Sequence, residues 1–114
     1  MAPHKILIHI SDRDKWAAAV KMASASAASG TSGGLEVVIV ADVFAGAVCL
    51  ACDRKLRTEM EAFCAAGHRI LACEESLRNL NMRPENLPEF IERVPASLME
   101  IVALQDAGFH YIKI

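Results

Sequence analysis

Four cysteines are the side chains of this sequence that are best suited to covalent chemistry. Cys73 stands in "ILACEESLRN", where an apolar run gives way to a stretch that is typical of a helix. A thiol at such a junction lies beside unpaired main-chain N–H groups, whose partial positive charge stabilises a thiolate. Glu74 and Glu75 oppose this effect, because nearby carboxylates disfavour a further negative charge. Cys73 is therefore either a candidate nucleophile or a packed core residue, and its position alone favours the packed residue.

Cys49 and Cys52 form a CxxC pair in "CLAC". In a cytoplasmic α/β protein this spacing suits a redox pair or half of a zinc site. A structural zinc needs four ligands, and Cys64 and Cys73 do not supply a second close pair, so we expect no metal. If "AGAVCLACDRKL" is helical, Cys49 and Cys52 are neighbours on one side of the helix. They are then either auxiliary thiols for Cys73 or packing residues at an interface.

His9 ends the first apolar run, beside Ser11 and Asp12. This position puts it at the same rim of the molecule as Cys73, where it is either a candidate acid or base or a hydrogen-bonded structural histidine. The other histidines have no metal-ligand spacing, and we assign no role to His4, His68 or His110. No Walker loop or dinucleotide-binding glycine motif is present, and we expect no cofactor.

Apolar strands that alternate with amphipathic helices must position these residues. We predict strands at residues 4–10, 35–41, 68–73, 91–94 and 109–114, and helices that start at Ser11, span 53–66 and 74–80, and run from Ser97 to Gly108,. Ser11 with Asp14 and Ser97 with Glu100 have the form of capping boxes. Parallel strands need crossover connections, so this alternation predicts a three-layer α/β/α domain with a mostly parallel five-stranded sheet.

Length and composition narrow the class of protein. The 114 residues suffice for a single domain, 1–114, and the 54% hydrophobic content argues against disorder and favours contact with a partner chain,. Lys and Arg (12) nearly balance Asp and Glu (14), so we expect neither nucleic acid nor an anionic membrane as a partner,. The apolar run "VFAGAVCLAC" is about half of the roughly 20 residues that span a bilayer. We see no secretory signal and expect a cytoplasmic protein.

The stretch "GHRILACEESLRNLNM", followed by "VPASLMEIVALQDAGFHYIKI", resembles the DsrE/DsrF-like family of small α/β proteins, which includes sulfur-relay subunits. The start, "KILIHISDRDKWAAAVKMA", fits the same pattern, so the resemblance covers nearly the whole chain. It implies a parallel five-stranded sheet flanked by helices and assembly into trimers, hexamers or hetero-oligomers. In the relay members, a cysteine that ends the third strand carries a persulfide, and the matching residue here is Cys73.

These observations leave functions of different classes open. The first is a cytoplasmic, homo-oligomeric sulfur carrier of the sulfurtransferase type, in which Cys73 accepts sulfur from a donor and passes it to an acceptor thiol. In it, Cys49 and Cys52 are auxiliary thiols and no cofactor is required. The second is a non-catalytic oligomeric binding or scaffold module with structural cysteines. The third is a redox or metal-binding protein that uses the CxxC pair.

Overall fold

Strands and helices alternate along the chain as the sequence predicts. In the computed structural model, which describes residues 4–28 and 34–114, the strands are β1 (His4–Ile10), β2 (Leu35–Ala41), β3 (Arg69–Cys73), β4 (Glu92–Val94) and β5 (His110–Lys113). The α-helices are α1 (Trp16–Ala28), α2 (Val43–Val48), α3 (Arg54–Ala65), α4 (Glu74–Asn79) and α5 (Ser97–Asp106). The glycine-rich stretch "SGTSGG" (29–34) precedes a strand and is typical of a loop; it lies outside the described residues except for Gly34.

The five strands form one sheet in the order β4-β3-β2-β1-β5. Each neighbouring pair is parallel, so the predicted α/β fold is confirmed and the described sheet is wholly rather than mostly parallel. All the strands therefore point the same way, and their carboxyl ends share one edge of the sheet. In open parallel sheets, this is the edge at which ligands usually bind.

Strand β2 lies in the middle of the sheet, and its side chains alternate between two cores. Val37, Ile39 and Ala41 pack on the face that α1, α2 and α3 cover. Val38 and Val40 pack on the opposite face, which α5 covers with Ile101 and Leu104. Both faces of the strand are buried, which explains why "LEVVIVA" is a nearly continuous apolar run,.

One helix begins with an ordinary side-chain N-cap, whereas the two helix starts predicted as capping boxes do not. At α3, the Asp53 side chain accepts a hydrogen bond from the Leu56 N–H at 2.8 Å, and this is an ordinary N-cap,. The two predicted capping boxes are wrong. Asp12 precedes a short 3₁₀ turn and Ala96 precedes α5, and neither side chain caps the helix. The hydroxyls of Ser11 and Ser97 bond instead to one distant carboxylate, described below.

Two residues other than glycine adopt positive φ in the described part of the chain. Val43, which follows the residue after β2, has a φ of 50°. Asn81, which follows α4, has a φ of 58°. Asparagine tolerates this region, whereas for a β-branched residue it is a true outlier. The turn between β2 and α2 is therefore a point of backbone strain.

No described helix is long and apolar enough to span a membrane.

We expect Val43→Gly to raise the free energy of unfolding by about 1 kcal/mol, because glycine adopts positive φ without strain. Val43 is 44% exposed, so little buried apolar contact is lost with its side chain. Asn81→Gly is the matched control, and we expect it to change stability by only a few tenths of a kcal/mol. Urea denaturation of the three proteins measures both effects. A Val43→Gly protein less stable than the wild type would contradict this account of the turn.

Candidate functional site

A buried carboxylate organises the carboxyl edge of the sheet. Asp42, which directly follows β2, is 8% exposed and accepts hydrogen bonds from three side chains. His9 Nε2 lies 2.8 Å from its Oδ2, and the Ser97 hydroxyl donates to the same oxygen at 2.8 Å. The Ser11 hydroxyl donates to Oδ1. We call these four residues the Asp42 cluster.

The alternation of the strands brings the cluster together. His9 lies between Ile8 and Ile10, which both pack on the face of α1, α2 and α3, so its own side chain points to the α5 face,. Asp42 follows Ala41, which also packs on the three-helix face, and therefore points the same way,. The α5 face is where Ser97, in the first turn of α5, can reach the carboxylate.

Two residues of the edge strand β5 extend the cluster toward solvent. The Tyr111 hydroxyl lies 2.8 Å from His9 Nδ1, and the Lys113 ammonium donates to the Ser11 hydroxyl oxygen at 3.1 Å. Tyr111 pairs with Leu7 and Lys113 with His9 in the parallel register, so both side chains stand on the α5 face,. Tyr111 is 41% exposed. A chain of hydrogen bonds thus runs from the surface to the buried carboxylate.

The hydrogen bonds decide the charge of Asp42. Burial is the largest single influence and raises the pKa of the carboxyl, because a charged group is costly to remove from water,. The donors His9, Ser11 and Ser97 together outweigh burial and lower the pKa from 3.8 to about 2. Asp42 is therefore ionised at neutral pH. A buried anion with three donors can orient an imidazole ring, as in catalytic dyads and triads.

The sequence singled out His9 in this group and missed Asp42, Ser97, Tyr111 and Lys113. The available signal for Asp42 was an acidic residue directly after a fully apolar strand, at the edge where ligands bind,. The capping-box form of the two serine motifs concealed their long-range role. His9 lies next to the carboxyl end of β1, at the rim of the sheet, as the sequence predicts. Its role as an acid or base stays a prediction.

Cys73 ends β3, as predicted, and acts as the N-cap of α4: its Sγ accepts a hydrogen bond from the Ser76 N–H at 3.5 Å. The residue is 3% exposed. Ala41 and Ala72 are register partners, so the residues that follow them, Asp42 and Cys73, stand on neighbouring strand ends of the same face,. The thiol is therefore adjacent to the Asp42 cluster in the sheet and shielded from solvent.

The acidic residues after Cys73 are partly neutralised by arginines. The Glu74 carboxylate pairs with Arg78 at 3.2 Å and with Arg93 at 3.1 Å. Glu75 is exposed, and its main-chain N–H bonds to the carbonyl of Pro95. The repulsion that the sequence suggests between Glu74 and a Cys73 thiolate is thereby weakened, because Glu74 has two cationic partners.

The other cysteines lie with the core on the opposite face of the sheet. Cys49 is buried in that core, and Cys52 and Cys64 pack against it. Burial raises the pKa of all three thiols, most strongly for Cys49. Helix α2 ends at Val48, so the helical interpretation of "CLAC" does not hold through Cys52. The structure therefore does not bring Cys49 and Cys52 to the face of Cys73. Within the described ranges, no group of three or more potential ligands is arranged to hold a metal ion.

The fold and the cluster define a class: a three-layer α/β protein with a parallel sheet and a polar group at its carboxyl edge. No family model matches the chain, and no curated protein matches it. Among solved structures, the chain is similar to that of a protein of unknown function, MTH1491, from Methanobacterium thermoautotrophicum. The TM-score is 0.84 with 20% sequence identity, over 97% of this chain and 99% of that one. At this identity the likeness shows the fold alone.

We expect the Asp42 cluster to make the fold sensitive to acid. A carboxyl whose folded pKa is lowered stabilises the fold above its ordinary pKa of 3.8, and this contribution is lost as the pH falls toward 2,. The loss amounts to about 2 kcal/mol. Asp42→Asn should flatten the dependence of unfolding free energy on pH in this window, as measured by urea denaturation.

Glu92→Gln is the control for the acid experiment. Glu92 has a pKa lowered by its hydrogen bonds from Arg69, but that pair is about half exposed. Solvent screens such pairs, so we expect a smaller change in the pH dependence than for Asp42→Asn. An Asp42→Asn protein with the acid dependence of the wild type would show that the three donors do not favour the charged carboxylate.

Proposed function

We propose that the protein is a cytoplasmic sulfur carrier of the sulfurtransferase type that holds a persulfide on Cys73. The observation that carries the proposal is the hydrogen bond from the Ser76 N–H to Cys73 Sγ at 3.5 Å. An N–H that points at sulfur stabilises the negative charge of a thiolate or a persulfide. The resemblance of residues 67–82 to DsrE/DsrF-like relay proteins also supports Cys73 as the residue that holds the persulfide.

The transfer needs no cofactor. The Cys73 thiolate attacks a sulfane sulfur of the donor, an S–S bond of the donor breaks, and the shortened donor leaves with the electron pair. An acceptor thiolate then attacks the outer sulfur of the persulfide and takes it, and the Cys73 thiolate is restored. The reaction requires a sulfur donor and an acceptor thiol, and we propose donor and acceptor proteins as partners. Cys49 and Cys52 are poor auxiliary thiols because burial raises the pKa of both,.

The low exposure of Cys73 limits the donor. A sulfur atom in a residue that is 3% exposed is reached by a small reagent before a bulky one,. The first turn of α4 is hydrogen-bonded to the segment that follows β4, since the Glu75 N–H donates to the Pro95 carbonyl at 3.3 Å. We therefore expect inorganic polysulfide to load Cys73 with sulfur faster than a bulky organic trisulfide does, since both carry a sulfane sulfur and they differ in size.

The same low exposure favours a second candidate, an oligomeric binding or scaffold module in which the cysteines only pack. Helix α5 presents Leu98, 70% exposed, Met99, 67% exposed, and Val102 to the outside. We call these three residues the α5 apolar surface. Adjacent exposed apolar residues on one helix are typical of an interface. We propose that this surface forms a homo-oligomer, a trimer or a hexamer, in either function.

Intact mass of the native protein after incubation with inorganic polysulfide tests the carrier function. We expect a gain of one sulfur atom that reductant reverses and that Cys73→Ser abolishes. Cys64→Ser is the matched control, because Cys64 is a free thiol on the other face of the sheet and burial raises the pKa of its thiol. Equal loading of the wild type and Cys73→Ser, or no loading at all, would leave the packing module as the better account.

Light scattering coupled to size exclusion tests the oligomer. We expect the double substitution Leu98→Glu and Met99→Glu to lower the molar mass to that of one chain, because buried charge without a partner is costly. Met22→Glu on α1 is the control, since Met22 is an exposed apolar residue, 43% exposed, on the other face. A monomeric wild type, or a double variant with the wild-type mass, would exclude the α5 apolar surface as the interface.

A further inference from the structure

The hydrogen bonds of the Asp42 cluster connect a buried carboxylate with the protein surface, and the sulfur-carrier function does not use this connection. Its buried end is a carboxylate that accepts three hydrogen bonds. The β5 residues that extend it form its accessible end: Tyr111 is 41% exposed, and Lys113 is an exposed residue on the same face of the strand. His9 joins the two ends, with Nε2 at 2.8 Å from Asp42 Oδ2 and Nδ1 at 2.8 Å from the Tyr111 hydroxyl.

The charge of Asp42 determines which atoms carry the protons in the hydrogen bonds from Asp42 through His9 to Tyr111. Asp42 is ionised, so it accepts a hydrogen bond from His9 Nε2, which must carry a proton,. In the neutral ring Nδ1 is then a hydrogen-bond acceptor, and the Tyr111 hydroxyl donates to it,. The Tyr111 phenol therefore donates to a proton acceptor inside the protein, and the residue is also exposed to solvent.

Lys113 determines the charge of a ligand at this surface. Its ammonium donates to the Ser11 hydroxyl at 3.1 Å and to the main-chain oxygen of Ile114 at 3.3 Å, and it has a third proton to offer,. Tyr111 and Lys113 stand on the same face of β5, two residues apart. A cation beside a proton-transferring phenol suits a small anion.

We propose that Tyr111, His9 and Asp42 form a general acid–base site for a small carboxylic acid with an exchangeable C–H beside a carbonyl group. Lys113 binds the carboxylate of this substrate. Tyr111 is the catalytic residue, because its hydroxyl meets the substrate. His9 accepts the phenol proton, and Asp42 is a positioning residue that fixes the imidazole tautomer. The proposal is independent of Cys73.

In the base direction, the Tyr111 oxygen takes the proton from the substrate carbon while the phenol proton moves to His9 Nδ1. The electron pair of the broken C–H bond forms the C=C bond of an enolate, and the carbonyl π pair moves onto oxygen. Tyr111 stays neutral, and His9 becomes an imidazolium that the Asp42 carboxylate stabilises. The reverse path returns a proton to carbon, so no oxidant, reductant or metal is consumed.

Exchange of the methyl protons of pyruvate in deuterium oxide, followed by proton NMR on the full chain, tests the site. We expect the wild type to exceed the buffer rate, and Tyr111→Phe to lose roughly tenfold or more of the excess. Lys113→Met should raise the pyruvate concentration needed for half-maximal exchange with little change in the maximal rate. With acetone, which has no carboxylate, Lys113→Met should change the substrate concentration for half-maximal exchange much less than it does with pyruvate.

His110→Gln is the matched control, because His110 lies on the same strand, and the alternation of β5 puts it on the opposite face. We expect its exchange rate to equal that of the wild type. A wild-type rate no higher than that of buffer, or a Tyr111→Phe rate equal to the wild-type rate, would overturn the proposal.

Nitrogen NMR of the histidine rings gives a second measurement that does not depend on the probe. We expect the neutral His9 ring to carry its proton on Nε2, with the signal assigned by its loss in His9→Gln. Asp42→Asn should lower the exchange rate and alter the tautomer ratio together, which a purely structural role of Asp42 would not do. A neutral ring protonated on Nδ1 in the wild type would overturn the relay.

Discussion

The Asp42 carboxylate is the constraint on which the carboxyl edge of the sheet depends. A buried anion is tolerated only when polar groups replace the water it has lost. Here the replacement comes from His9 at the end of β1, Ser11 just beyond it, and Ser97 in the first turn of α5. The carboxylate therefore ties the ends of two neighbouring strands to the helix that covers them. The three donors are therefore linked to one another through the shared carboxylate,.

The sequence predicts the fold well because each prediction rests on a local pattern. The apolar run of β2 and the amphipathic spacing of α3 are complete within a few residues, and parallel pairing follows from their alternation,. The Asp42 cluster could not be predicted in this way, because its hydrogen bonds join residues 31, 33 and 55 positions apart. Ser11 and Ser97 even satisfied a local rule, the capping box, which three-dimensional proximity to a carboxylate overrides.

The uneven covering of the sheet separates the cysteines into two environments. Three helices cover the face where Cys49 is buried, and the apolar surroundings raise the pKa of its thiol. Helix α5 covers the face of Cys73 and Asp42, where the buried apolar cluster is smaller and Ser97 of the helix bonds to the carboxylate. Sequence spacing could suggest that Cys49 and Cys52 act with Cys73, but it could not show that a sheet lies between them.

Ser76 connects the two proposed sites mechanically. Its main-chain N–H bonds to Cys73 Sγ, and its hydroxyl oxygen accepts the N–H of Val43 at 2.9 Å. Val43 follows Asp42 and has a strained φ of 50°,. Through Ser76, the turn that carries Asp42 is thus hydrogen-bonded to the first turn of α4, and that same turn contacts the thiol. Displacement of the first turn of α4 from Cys73 would therefore also break a hydrogen bond of the turn that carries Asp42.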